Sequence, residues 1–389
     1  MKPGEIRFEF ATAGRIVFGP GAIQEAGRIA NGAGRCALVV TGRRAERAEP
    51  LVALLREQAV KTALFSVPGE PELDTVRAGT ALARRESCDV VIGMGGGSVL
   101  DAGKAIAAMI TNEGELLDYL EIIGNGKRLS RRPAWFIAIP TTAGTGSEVT
   151  RNAVLTSPEH RLKVSLRSLY LLPGVALVDP ELTYDLPPGL TASTGLDALT
   201  QLIEPFVCAR ANPMTDALCV EGIRRAARSL RRAYANGHDG GARQDMAVAS
   251  LFGGMALANA GLGAVHGLAG PLGGMFSAPH GALCAALLPH VMEINSRALR
   301  DRQPSSETLR RYDEVARLLT GDATAAAGEG VAWVRQLVGD LKIPRLGVYG
   351  ITREHSAEVV EKASQASSMK ANPIALTPEE LAQILEQAI

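Results

Sequence analysis

The pattern of apolar residues changes once along this chain, near residue 185, and that change most constrains the fold. Before it, short apolar runs such as CALVV (36–40) and WFIAIPTTA alternate with amphipathic segments such as EPLVALLREQA. Alternating strands and helices are typical of a parallel sheet with crossover helices. After it, β-branched runs stop, and Ala, Leu, Arg and Glu recur at helical spacing. The sequence therefore predicts an α/β domain with a parallel sheet over residues 1–185 and an all-helical domain over residues 186–389.

The turn YDLPPGL marks the predicted boundary between the two domains. Pro187 and Pro188 are expected to end one element, and Thr191 or Ser193 to cap the next helix. A cleft between two such domains is the usual site of a cofactor and a substrate.

Composition places the chain among globular enzymes. Its 389 residues suffice for two domains, and 41 basic residues balance 41 acidic ones, so no overall charge favours nucleic acid or an anionic membrane. The five cysteines are widely spaced without a CxxC pair, which is typical of reduced core thiols in a cytoplasm. The start MKPGEIRFEF lacks the apolar core of a signal peptide, and no run is long enough for a membrane span. We expect a cytoplasmic enzyme whose partners are small molecules.

A glycine run after a buried strand is the first candidate nucleotide site. GMGGGS (93–98) links the strand CDVVI to a helix, so backbone amides can approach phosphate oxygens while the helix N-terminus attracts their charge. The run does not fit the GxGxxG pattern, and glycine-rich turns are common, so an ordinary turn is the alternative. The candidate cofactor residues here are Gly95, Gly96, Gly97, Ser98 and Asp101.

A second candidate nucleotide segment is PTTAGTGSEVT (140–150), which offers hydroxyl groups beside flexible backbone at the end of another strand. An ordinary polar turn is again the alternative. Because open parallel sheets bind ligands at the carboxyl ends of their strands, both segments are expected to face the same crevice. The candidate cofactor residues here are Thr141, Thr142, Thr145 and Ser147.

The turn VVTGRRAER follows the first sheet strand, where a dinucleotide fold often places an acidic residue for the ribose 2′-hydroxyl. No acidic residue stands there. Gly42 leaves space, and Arg43 and Arg44 offer guanidinium groups that suit a 2′-phosphate. A solvated surface turn is the alternative, but we favour the phosphate interpretation and therefore NADP over NAD.

Asp197, His266 and His280 are candidate ligands of one metal ion. One carboxylate and two imidazoles suit Fe(II) or Zn(II), and this incomplete protein shell leaves room for a substrate oxygen. The two histidines lie fourteen residues apart, so they must converge from separate elements. A buried histidine is more often a hydrogen-bonded core residue. Cys284, four residues after His280, is better explained by packing than by ligation.

Together these motifs resemble the iron-containing, or group III, alcohol dehydrogenase family, which has a dehydroquinate synthase-like architecture. RIVFGPGAI, GMGGGSVLDAGKA, IPTTAGTGSEVT, VDPELT, GLDALT, VHGLAGPLGG and PHG follow in the order of that family, nearly end to end. The resemblance implies that the α/β domain binds NAD(P), that the helical domain holds the metal, and that hydride passes in the cleft. It also places Lys163 close to the cofactor and implies a homo-oligomer, a dimer or larger.

Two positions depart from the family pattern. Gln201 replaces a usual histidine ligand one helical turn after Asp197; its amide oxygen can coordinate a metal but is neutral and a poorer ligand than imidazole. Gly270 stands four residues after His266, where many relatives carry a histidine near the substrate. The proton must then travel by water, by the cofactor ribose or by another side chain.

The sequence thus predicts a metal-dependent oxidoreductase that interconverts an alcohol with an aldehyde or ketone and prefers NADP. Asp197, His266 and His280 are the predicted catalytic residues, and Gln201 is the fourth candidate ligand. One alternative is a metal-independent reductase of the maleylacetate reductase type, which Asp197 opposes because a bare buried carboxylate is costly without a cation. The others are a lyase of the dehydroquinate synthase type and a non-catalytic nucleotide-binding protein with a decayed site.

Overall fold

The computed structural model describes residues 6–389. The first predicted domain begins at residue 1, so its first five residues lie outside the described part of the chain. All strands end before residue 179, and long helices begin at residue 188. This change of structure agrees with the predicted fold class, whereas the division into domains at residue 185 stays a prediction.

A parallel sheet of six strands forms the first half, as predicted. Numbered along the chain, its strands run in the order β1-β8-β5-β4-β2-β3. The strands of the sheet are β1 (Ile16–Phe18), β2 (Cys36–Thr41), β3 (Lys61–Ser66), β4 (Val90–Gly95), β5 (Trp135–Pro140) and β8 (Val175–Val178). The helices of this half are α1 (Ala26–Ala33), α2 (Glu49–Glu57), α3 (Leu73–Arg85), α4 (Gly97–Thr111) and α5 (Leu116–Tyr119).

Helices cover both faces of the sheet, which explains its continuous apolar strands. In β2, Leu38 and Val40 pack in one cluster with residues of α3 and α4. Ala37 and Val39 point the other way, into a second cluster with residues of α1 and α2. A strand buried on both faces has no polar side, so its sequence shows no alternation of apolar and polar residues.

An antiparallel hairpin after β5 was not predicted from the sequence. It consists of β6 (Asn152–Ser157) and β7 (Leu162–Arg167), with Thr156 paired to Lys163. Alternate residues of β6 are buried, as expected of a strand with one covered face. The hairpin carries Lys163, one of the predicted cofactor residues.

Nine α-helices form the second half, which confirms the all-helical prediction. The helix α6 is buried along most of its length and packs against its neighbours α7, α8 and α10. The helices are α6 (Pro188–Val207), α7 (Pro213–Ala235), α8 (Gly240–Asn259), α9 (Ala264–Met275), α10 (His280–Arg302), α11 (Glu307–Thr320), α12 (Ala327–Asp340), α13 (Ser356–Gln365) and α14 (Pro378–Ala388).

The start of α6 differs from the sequence expectation. The helix begins at Pro188, with Pro187 before it, and no side chain caps its first turn. Thr191 and Ser193 lie inside the helix instead of capping it, because proline is compatible with the first helical position.

None of the described helices is by itself long and apolar enough to cross a membrane. Helices α8 and α9 meet those criteria of length and composition only as a pair, bent by 96° at the break between them.

Candidate nucleotide and metal sites

The glycine turn and the threonine-rich loop lie side by side. Strands β4 and β5 are parallel neighbours whose ends align Gly95 with Pro140. The amide of Thr141 donates a hydrogen bond to the Gly95 carbonyl at 3.0 Å. Both segments therefore open at the carboxyl edge of the sheet, where parallel sheets bind ligands.

Close packing explains why the turn contains glycine. A Cβ atom on Gly97 would lie 2.8 Å from the side chain of Thr145, and one on Gly96 would lie 3.3 Å from that of Thr142. No side chain caps the start of α4, where Ser98 occupies the first turn. The first amides of this helix are thus available to phosphate oxygens.

Lys104 ties α4 to the threonine-rich loop. Its ammonium group, on a side chain only 1% exposed, donates to Ser147 Oγ at 2.8 Å, to Thr150 Oγ1 at 2.9 Å and to the Asn152 carbonyl at 2.9 Å. The Asp101 carboxylate accepts from Ser147 Oγ at 2.6 Å and lies 3.6 Å from the ammonium. As cofactor contacts, Asp101 and Ser147 stay predictions, because the protein itself already supplies partners for both side chains.

Glu148, in the same loop, makes stability depend on pH. It is 2% exposed, and burial raises the pKa of its carboxyl from 4.5 to about 7. The folded state holds this proton more tightly than the unfolded chain, so stability falls as pH rises through that interval. We expect Glu148→Gln to raise the free energy of unfolding by up to ~3 kcal/mol above pH 8 and to change it little near pH 4. Urea unfolding of both proteins at the two pH values measures this; an equal gain at both would contradict it.

The turn after β2 opens at the same edge as the glycine turn, because Thr41 pairs with Met94 of β4. The Gly42 carbonyl accepts a hydrogen bond from Ser66 Oγ at 3.0 Å. The exposed Arg43 guanidinium reaches the Pro68 carbonyl at 3.3 Å. Gly42 and Arg43 thus lie at the same edge of the sheet as the glycine turn, and their contact with a nucleotide ribose stays a prediction.

Lys163 connects the hairpin to the helical half. Its Nζ atom lies 3.2 Å from Glu70 Oε1. The same atom is 3.4 Å from where a Cβ on Gly273 of α9 would stand. Lys163 therefore stands between the sheet half and α9, the helix that carries His266.

The structure brings Asp197, His266 and His280 together and adds Cys284 to them. One donor atom from each of the four lies within 4.8 Å of the others. The Nε2 atoms of His266 and His280 are 3.4 Å and 3.8 Å from Asp197 Oδ1. Asp197 Oδ1 and His266 Nε2 are buried and have no hydrogen-bond partner among the described residues. Unpaired buried polar atoms are costly, so donors that face one point fit a bound cation.

Three helices supply this cluster of donors. Asp197 lies on α6, His266 on α9, and His280 at the first position of α10. A Cβ atom on Gly281 would lie 2.6 Å from the Ser193 carbonyl of α6. Glycine after His280 therefore lets the start of α10 press against α6, which brings the imidazole to the carboxylate.

Glu204 orients His266, and sequence reasoning missed it. Its Oε2 atom lies 2.6 Å from His266 Nδ1, and its Oε1 atom accepts from the Val265 amide at 2.7 Å. A carboxylate on Nδ1 fixes the ring so that the Nε2 lone pair faces the cluster, as in many metal sites. The available signal was an acidic residue in the apolar segment QLIEPFV, seven positions after Asp197.

The electrostatics of the cluster favour a shared positive charge. Burial lowers the pKa of His266, but attraction to Cys284, Asp197 and Glu204 outweighs it and raises that pKa well above its usual range. Attraction to Cys284 also raises the pKa of His280. Burial acts to raise the pKa of Asp197, but the two histidines lower it overall. Without a metal, protons on the histidines supply the positive charge that balances the carboxylates. A metal ion that binds here displaces those protons and supplies the charge instead.

The two departures from the family pattern differ in their surroundings. Gln201 is buried beside Asp197, where its side chain helps to lower the pKa of that carboxyl, and its Oε1 atom has no partner among the described residues. A Cβ atom on Gly270 would meet nothing within 4 Å. Gln201 is thus enclosed next to the cluster, whereas Gly270 leaves open space one turn after His266.

Comparison with known proteins identifies the family. The protein-family model described as iron-containing alcohol dehydrogenase matches residues 13–180. The family model for the C-terminal part of Fe-containing alcohol dehydrogenases matches residues 191–389. The chain belongs to the iron-containing alcohol dehydrogenase family. A 1,3-propanediol dehydrogenase of Klebsiella pneumoniae is 39% identical, with 98% of each chain covered.

Solved structures of this family have the same fold. The crystal structure of a 1,3-propanediol oxidoreductase matches with a TM-score of 0.91 at 37% identity, covering 98% of this chain and 100% of that one. Sulfoacetaldehyde reductase from Bifidobacterium kashiwanohense, solved with NAD+, matches with a TM-score of 0.87 at 29% identity over 99% of both chains. The predicted dehydroquinate synthase-like arrangement of an α/β half and a helical half is thereby confirmed.

Family membership establishes the general activity. The chain is an oxidoreductase that interconverts alcohols and aldehydes and uses a divalent metal ion and NAD(P). This activity sets aside the lyase and the non-catalytic alternatives.

Proposed function

We propose that this enzyme is an NADP-preferring alcohol dehydrogenase and aldehyde reductase whose Fe(II) or Zn(II) is held by Asp197, His266 and His280. The observation that carries the proposal is the set of buried, unpaired donor atoms that face one point. An oxygen and two imidazole nitrogens suit either metal. Gln201 stands beside them as a further oxygen donor.

In this proposal, protein side chains position the metal ligands and leave one side of the metal site open to the substrate. When bound, the metal supplies Lewis-acid polarisation of a substrate oxygen, and the nicotinamide carries the hydride. Glu204 holds the His266 ring in one tautomer by accepting from Nδ1. His280 has a side chain that is 31% exposed, so its edge of the cluster is the one open to a substrate.

Elemental mass spectrometry on untagged protein, purified without chelator, tests the metal. We expect roughly one Fe or Zn per chain, lost together with activity on chelation. A metal-free protein that still oxidises NADPH with an aldehyde would instead support the metal-independent reductase. The unpaired Asp197 Oδ1 is the observation that disfavours this alternative.

Two observations support NADP as the preferred cofactor. Gly42 provides room at the end of β2, since a Cβ there would touch only Val99, at 3.9 Å. Arg43 and Arg44 are exposed beside it. Guanidinium groups bind phosphate oxygens through charge-assisted hydrogen bonds, whereas a ribose 2′-hydroxyl is usually bound by a carboxylate.

Replacing Gly42 by Asp is expected to shift the preference toward NADH. The new carboxylate repels a 2′-phosphate and accepts from a 2′-hydroxyl, so the ratio of kcat/KM for NADPH to that for NADH should fall roughly 10- to 100-fold. Steady-state kinetics with both cofactors measures the ratio. Gly42→Asn is the matched control, since it adds the same bulk without charge. A ratio unaffected by Asp, or lowered equally by Asn, would refute the assignment.

The open space at Gly270 bears on the substrate. With no side chain there, we propose that protons pass through water or the cofactor ribose hydroxyls and that the cleft accepts alcohols larger than ethanol. The relatives named for 1,3-propanediol support a short diol or the corresponding hydroxyaldehyde as the first substrate to assay. Small-molecule substrates and a cytoplasmic homo-oligomer, without nucleic acid or membrane, complete the proposal.

A further inference from the structure

We propose that the thiolate of Cys284 is the fourth protein ligand of this metal site. The inference rests on the metal site proposed above. It adds sulfur to the ligand set and assigns Gln201 to a supporting position.

Helix geometry directs Cys284 at the cluster. It lies four residues after His280 on α10, and residues at this spacing share one helix face. Its Sγ atom is 3.6 Å from His280 Nε2. A tetrahedral ion bonded to sulfur at about 2.3 Å and to nitrogen at about 2.0 Å separates those two atoms by about 3.5 Å. The observed spacing, which also fits a hydrogen bond between the thiol and the imidazole, therefore agrees with joint ligation.

The spacing of the other donors agrees with the same centre. His266 Nε2 and Asp197 Oδ1 are 3.4 Å apart, close to the roughly 3.3 Å expected of nitrogen and oxygen ligands at one tetrahedral ion. Both atoms are buried without a hydrogen-bond partner among the described residues. Cys284 thus stands beside two unpaired donor atoms that fit a bound cation, a setting that distinguishes it from an ordinary core thiol.

Gln201 is the competing candidate for the fourth position. Its Oε1 atom is also buried and without a partner within the described chain. A neutral amide oxygen is nevertheless a weaker ligand for a transition metal than a thiolate. Gln201 lies one helical turn after Asp197 and helps to lower the pKa of that carboxyl, so we assign it to supporting the carboxylate.

Charge also favours the thiolate. Asp197 and a Cys284 thiolate place two negative charges against a divalent ion, whereas Asp197 and Gln201 place only one. Cys284 is fully buried, and charges in such a place persist only when they are paired. On binding, the sulfur–metal bond forms as the thiol proton leaves to solvent, so charge and atoms balance. Because thiolate is a soft ligand, this set should favour Zn(II) over Fe(II).

Cobalt substitution tests the proposal directly. A Co(II) ion bound by a thiolate shows a sulfur-to-cobalt charge-transfer band in the near ultraviolet, which nitrogen and oxygen ligands do not give. We expect this band in the cobalt-loaded full-length protein and its loss in Cys284→Ser. Competition titration should also show a roughly 10- to 100-fold loss of Zn(II) affinity in that variant. Cys219→Ser, an equally buried cysteine on α7, is the matched control and should keep both.

The outcomes separate this inference from the metal site itself. Cobalt that binds to the wild-type protein without the band overturns Cys284 as a ligand, whether or not the variant folds. A band that survives in Cys284→Ser or Cys284→Ala overturns it as well. Absence of stoichiometric cobalt binding in the wild type refutes the proposed metal site as a whole. Gln201→Ala should keep the band. A loss of Zn(II) affinity in Gln201→Ala that exceeds the loss in Cys284→Ser would contradict the supporting position given to Gln201.

Discussion

Replacing His280 by Ala is expected to lower kcat/KM by at least ~10³-fold while the protein stays folded. Removal of one ligand weakens metal binding. The metal's polarisation of a substrate oxygen contributes several kcal/mol to lowering the barrier, and about 1.4 kcal/mol corresponds to a tenfold change in rate. The fold should tolerate the change because this side chain is partly exposed at the first position of α10. Aldehyde reduction kinetics, metal content and thermal unfolding together measure these effects.

His290 provides the matched control on the same helix. Its Nδ1 atom pairs with Gln387 Oε1 at 3.1 Å, away from the cluster. We expect His290→Ala to keep both metal and activity. An inactive His280→Ala protein with full metal content would make His280 a substrate-binding group. Loss of the fold would make it a structural residue.

Replacing Lys104 by Met is expected to lower the free energy of unfolding by about 3–5 kcal/mol, because it leaves a buried carboxylate without its cation. The variant loses three hydrogen bonds from the ammonium group. Burial raises the pKa of Asp101 even with Lys104 beside it, so removing the lysine leaves that carboxylate still less favourable. Urea unfolding monitored by circular dichroism measures the loss.

A double variant shows whether the buried pair is the cause. Asp101→Asn removes the charge that Lys104→Met leaves behind, so the double variant should lose at least ~1 kcal/mol less than the sum of the two single losses. Strict additivity would mean that Lys104 acts only through its hydrogen bonds to Ser147, Thr150 and Asn152. Because Lys104 and Asp101 join α4 to the threonine-rich loop, NAD(P) affinity should fall along with stability.

Much of the fold follows from local sequence patterns. The runs CALVV and CDVVI predict β2 and β4, since strands covered on both faces need apolar residues throughout. The hairpin β6–β7 was missed because it is short and half-exposed, and its polar residues resemble those of a loop. The start of α6 was misplaced because a proline such as Pro188 can either end the preceding element or occupy the first position of a helix.

The candidate site was predictable to the extent that its residues stand in short motifs. Asp197, His266 and His280 were recognisable by residue type and by the small residues around them. Glu204 was not, because its partner His266 is 62 residues away in sequence and only the packing of α9 against α6 joins them. The sequence likewise favoured packing for Cys284, and the distance from its sulfur to His280 is what argues for ligation.

The sequence by itself determined the change from alternating strands and helices to helices alone, the glycine turn at a strand end and the residue types able to bind a metal. These are properties of neighbours along the chain, and periodicity or spacing expresses them directly. Only the tertiary structure decided which donors meet, that Lys104 ties α4 to the threonine-rich loop, and that Cys284 lies beside the histidines. Such choices depend on how helices distant in sequence pack, and short glycine contacts such as that of Gly281 with Ser193 set those distances.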